Sequence, residues 1–181
     1  MRRILFVSLV LILPLAAAAE PFGKTFQKTC AQLQGDGWTA PIDLQTKKPG
    51  KAEMNIPAIM YICMLTRELK PTGSGHAPDL QALLSNDGDG SSLILSADIW
   101  CAADRTATFD ALAKQLERIA GSVPVPISSA IRAGKGARST ANGLSFEVTP
   151  VQVDSGACES VPAGQLGPVL MKIDVKVQPS K

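Results

Sequence analysis

Residues able to do chemistry are few in this chain, and their spacing disfavours most reactions. There is one histidine, His76. Ser74 and Asp79 lie beside it in Gly73-Ser74-Gly75-His76-Ala77-Pro78-Asp79, so the three residue types of a hydrolytic triad occur together. A working triad needs a fixed nucleophile–base–orienter chain and oxyanion donors. Close neighbours in a Gly/Pro loop do not supply that geometry, and no G-x-S-x-G elbow occurs. The reading is a solvated loop histidine. A hydrolase using His76 is the enzymatic alternative.

Four cysteines, Cys30, Cys63, Cys101 and Cys158, form no CxxC redox or zinc spacing. With one histidine in the chain, no metal site and no cofactor are expected. Asp87-Gly88-Asp89-Gly90 has the look of a calcium loop. With Gly90 at position six, Ser85, Asp87 and Asp89 take positions one, three and five, but position twelve falls on Ser96, where a bidentate carboxylate belongs. A turn is the better reading. Gly134-Lys135-Gly136-Ala137-Arg138-Ser139-Thr140 superficially resembles a phosphate loop but lacks the G-x-x-x-x-G-K-[ST] spacing. Glu53, Glu68, Asp98, Asp104 and Asp110 include no pair that the sequence sets across a sugar-sized gap. Trp38 and Trp100 read as core residues, or as binding anchors if exposed.

The first nineteen residues set the context for those cysteines. Met1-Arg2-Arg3 precedes an apolar run from Ile4 to Leu15, then Ala16 to Ala19 and Glu20. This is the pattern of a secretory signal peptide, with Ala17 and Ala19 at the cleavage site. The expected mature chain is one domain, residues 20–181, in the bacterial periplasm, with secretion as the alternative. Removing Arg2 and Arg3 lowers Lys+Arg from 18 to 16, which balances the 16 Asp+Glu. A neutral chain has no general electrostatic reason to bind nucleic acid or anionic lipid. No later apolar run reaches the length of a bilayer span, so no membrane contact is expected after cleavage. In an oxidising compartment an even cysteine count implies disulfides, and four cysteines allow three connectivities.

Periodicity supplies the elements. Phe22, Phe26, Cys30 and Leu33 share one helical face. Residues 38–50 read as a polar loop. Residues 56–67 read as one strand, apolar on both faces and so central in a sheet. Asp79–Leu84 reads as a helical turn or two, and Ser92–Cys101 as a strand. Thr106–Ala120 is the clearest helix, with Phe109, Leu112, Leu116 and Ile119 as its stripe, stopped by Gly121 and Pro124. Residues 127–143 read as mostly loop, with a short helix allowed at 127–131. Leu144–Thr149 and Val169–Val177 alternate as a final hairpin.

The expected fold is α+β, in the order helix, strand, strand, helix, strand, strand, with a largely antiparallel sheet and helices on one face. Cys30 on the first helix then lies above Cys63 in the strand beneath it, and Cys101 and Cys158 lie near strand ends. Two disulfides follow, Cys30–Cys63 and Cys101–Cys158. The mostly negative chemistry points to a non-enzymatic binding or interaction protein. An inhibitor or an envelope-assembly accessory, with a protein partner in the cell envelope, fits this reading. Its candidate binding residues are Lys47, Lys48 and Lys51, His76, and Arg132, Lys135 and Arg138. A small-ligand carrier is a further alternative.

Overall fold

The computed structural model describes residues 26–41, 45–56, 60–68, 79–86, 91–101, 105–153 and 167–180. They form a mixed α+β fold: α1 (Phe26–Gly35), β1 (Glu53–Ile56), β2 (Met60–Glu68), β3 (Asp79–Asn86), β4 (Ser91–Trp100), α2 (Arg105–Ala120), α3 (Val125–Ala133), β5 (Ala137–Ala141), β6 (Leu144–Gln152) and β7 (Val169–Pro179). All seven strands join one sheet in the order β1-β2-β3-β4-β7-β6-β5. Every neighbouring pair is antiparallel. A four-strand meander and a three-strand meander meet where β4 pairs with β7.

Strand alternation divides the sheet into a covered and an open face. Two rows of paired residues line the covered face, Cys63–Leu84–Leu93–Val177–Phe146 and Leu65–Ala82–Leu95–Val175–Val148. All ten are buried. They form one core with Cys30 and Leu33 of α1, with Phe109, Leu112 and Leu116 of α2, and with Ile127 and Ile131 of α3. The α2 stripe reads as expected from its spacing. Gly121 ends that helix in a left-handed conformation, its N–H donating to Glu117 O. Pro126 then sits in the first turn of α3, where a missing N–H costs nothing.

The element order departs from expectation in identifiable places. Residues 56–67 are not one central strand. They belong to β1 and β2, with residues 57–59 outside the described set, and β2 lies one position from the sheet edge. The centre is β4. The apolar run in β2 reflects one buried face, Cys63 and Leu65, and an outer face carrying Ile62 and Met64. Asp79–Leu84 is strand β3 rather than helix, because Leu80, Ala82 and Leu84 alternate into the core. Residues 127–143 are a full helix and a strand rather than mostly loop. Asn142 and Gly143, both at positive φ, form a two-residue turn between β5 and β6. Helix α2 starts at Arg105, one residue before the expected Thr106.

One disulfide is present among the described residues. Cys30 and Cys63 are joined, with Cα atoms 6.2 Å apart, pinning α1 to β2. Cys158, half of the second expected pair, lies outside the described residues.

Both sheet edges are short, as edges must be to resist strand addition. The N–H groups of Met64 and Thr66 donate to Ala52 O and Thr39 O, so Ala52 and Thr39 cover the outer edge of β2 where β1 stops. The Val153 N–H donates to Leu170 O. By alternation Pro150, which has no N–H, then faces away from β7, on the stretch of β6 that β5 leaves unpaired.

Gly134 closes α3 at φ +62, and a Cβ built there meets the Phe109 ring at 3.3 Å. Gly134→Ala is expected to cost about 1–2 kcal/mol from backbone strain alone, plus the displacement of Phe109. Gly121 has φ +77 and nothing within 4 Å. Thermal melting should therefore show Gly134→Ala more destabilised than Gly121→Ala.

Candidate functional site

No helix among the described residues packs on the open sheet face, and its two halves differ in chemistry. Register builds it row by row. Across the middle runs Met64–Leu83–Ile94–Lys176–Glu147–Arg138. Beside it runs Met54–Ile62–Ser85–Ser92, with Gln178 paired to Ser145 on the other half. On the other side lies Thr66–Gln81–Ser96–Asp174–Thr149.

The β1–β4 half is apolar at Met54, Ile62, Met64, Leu83 and Ile94, bordered by hydroxyls and an amide. Met54 is 41% exposed and Met64 39% exposed; Ile62, Leu83 and Ile94 are half-buried by their neighbours alone. An open antiparallel face is ordinarily polar, so this corner departs from the usual pattern. The β7–β6–β5 half carries Lys172, Lys176 and Arg138 against Asp174 and Glu147, with Asp98 of β4 opposite Lys172. Two ion pairs join four of these six charges. Arg138 Nε donates to Glu147 Oε1 at 2.9 Å, and Lys172 Nζ lies 3.5 Å from Asp174 Oδ1. Exposed pairs of this kind contribute about 0–1 kcal/mol each; their consequence here is a locally neutral surface.

One hydroxyl contact joins the halves, and another lies within the β1–β4 half. Ser96 Oγ donates to Asp174 Oδ1 at 2.6 Å, and Ser85 and Ser92 hydroxyls lie 2.9 Å apart. Ser96 thus donates its hydrogen bond to a carboxylate that Lys172 also approaches. An activated nucleophile needs an adjacent base near its working pH, oriented by a third group. The described residues contain no imidazole to fill that role.

The basic residues expected to bind do not converge. Lys47, Lys48 and Lys51 are exposed on the segment leading into β1. Lys135 and Arg138 are exposed at β5, the opposite edge. Six strand steps separate the edges, about 29 Å at ~4.8 Å per step. Arg132 on α3 is held by α2, with its Nε 3.0 Å from Asp110 Oδ1 and a second contact of 3.9 Å to Glu117. His76 lies outside the described residues, as do Asp87 to Gly90. The 134–140 segment, which lacks the phosphate-loop spacing, is also engaged by its own helix. The Gly134 and Lys135 amides donate to Ile131 O and Ala130 O, so they cap a helix and are not presented to an anion.

The described residues hold no group of three His, Cys, Asp or Glu side chains placed for a metal. No helix among them is long and apolar enough to cross a membrane. Trp38 is buried, not an anchor, and Trp100 is half-buried. The residues that sequence reasoning missed are Met54, Ile62, Met64, Leu83 and Ile94. The signal was the apolar character of both faces of β2, which was assigned to a central position instead of an uncovered face.

The fold and surface define an α+β protein with helices on one side of a seven-stranded antiparallel sheet and a half-apolar, half-neutralised face on the other. The chain matches no protein-family model, no curated protein and no solved structure. Its function is therefore argued from this surface alone.

Proposed function

We propose that this chain is an exported, non-enzymatic interaction protein of the cell envelope, an enzyme inhibitor or assembly accessory, that docks a protein partner on its open sheet face. Residues 1–19 act as a cleaved signal peptide, and the mature chain works in the periplasm. A second staple, Cys101–Cys158, accompanies Cys30–Cys63. The observation that carries the reading is the uncovered apolar corner formed by Met54, Ile62, Met64, Leu83 and Ile94. Apolar surface is the non-directional driving force of most protein association. The adjoining charges, four of them in ion pairs, disfavour a strongly charged partner such as nucleic acid.

The test is affinity capture of mature Glu20–Lys181 from native envelope extract, read by mass spectrometry. A stoichiometric protein partner retained by wild type and lost with Ile94→Lys is expected. Equal capture by both would place the docking surface elsewhere. No capture across several growth conditions would remove the protein-partner reading.

A further inference from the structure

Two methionines, Met54 and Met64, stand on the neighbouring antiparallel strands β1 and β2. Met54 stands opposite Ile62, and Met64 lies two residues further along β2. Such a diagonal pair has Cβ atoms somewhat under ~7–8 Å apart, within reach of long side chains. Methionine has three rotatable bonds and a polarizable thioether, so the two sulfurs can converge. Both residues are about two-fifths exposed.

We propose that the thioethers of Met54 and Met64 form a binding site for a soft monovalent cation, Cu(I) or its redox-inert counterpart Ag(I). Thioethers select soft ions, whereas calcium, magnesium and manganese need carboxylate or carbonyl oxygen. The described neighbours on this face are Ile62, Leu83 and Ser85, which bring no carboxylate to hold a hard cation. Thioether sulfur carries no proton to displace, so binding is insensitive to pH, unlike that of thiolate or imidazole sites. The step is coordination alone, with no change of oxidation state.

This inference goes beyond protein docking, and one substitution separates the two. Leucine keeps the apolar surface and removes only the sulfur; such swaps usually cost under about 1.5 kcal/mol. The exported chain, its disulfides intact, is titrated with Ag(I) by native mass spectrometry. It is then titrated with Cu(I) against a chromophoric Cu(I) chelator. Wild type is expected to bind one ion. The Met54→Leu/Met64→Leu variant is expected to lose at least about tenfold in affinity, the scale on which even outer-shell partners change metal binding. Met171→Leu, a covered-face control, is expected to bind as wild type. Failure of wild type to compete with the chelator would overturn the site. So would unchanged binding by the double variant. Loss of metal with partner capture retained leaves the docking reading standing. Loss of capture with Ile94→Lys and no metal binding by wild type overturns the metal site alone.

Discussion

Phe146→Ala is expected to destabilise the protein by about 3–5 kcal/mol. Phe146 is fully buried and lies in the covered-face row between Val177 and the edge strand β5. It belongs to the core that α3 closes through Ile127 and Ile131. Removing the ring leaves a void at a place where α3 is tied to the sheet mainly by side chains, so the cost includes both lost transfer energy and the cavity. Urea denaturation with an unchanged m-value and a lowered midpoint would identify this as a stability effect. A loss under about 1 kcal/mol would mean that β6 does not pack beneath α3.

Removing the Cys30–Cys63 disulfide should cost about 3–4 kcal/mol, because it closes a loop of 33 residues in the unfolded chain. The substitution that reads this most cleanly is Cys30→Ala with Cys63→Ala, since both positions are fully buried and a hydroxyl there would add its own penalty. Each kcal/mol lowers the melting temperature by about 2–4 °C in a domain of this size, so a drop of roughly 10 °C is expected. The covered side of α1 contributes only Cys30 and Leu33 among its described buried residues. Hydrogen exchange should therefore show α1 losing protection before the strands do. A melting change under about 3 °C would mean that α1 is held by something other than the bridge.

Much of the fold was legible where one periodicity dominated. The α2 stripe and the alternation of β7 each buried the side that the spacing selected. Ile173, Val175 and Val177 are in the core, while Lys172, Asp174 and Lys176 face out. Cys30 and Cys63 pair because a helix face and a strand face of the expected kind meet. Three segments misled for separate physical reasons. In Asp79–Leu84, the four apolar residues Leu80, Ala82, Leu83 and Leu84 fit a short helix as well as a strand, and only pairing with β2 and β4 decides. Asn142-Gly143 is a strong short-range hairpin signal, but β5 before it is Ala-Arg-Ser-Thr-Ala, which has little apolar pattern. In β2 an apolar outer face has the same sequence signature as burial on both sides, so composition alone does not separate a central strand from one whose outer face, with Met64, is left open.

The most direct measurement is hydroxyl-radical footprinting of the mature chain, alone and in envelope extract. The expected result is protection of Met54, Met64 and Ile94 in extract, with exposed Val125 and Val153 unchanged. Protection confined to Lys47–Lys51 or Lys135 and Arg138, with the sheet face equally reactive in both samples, would contradict the account.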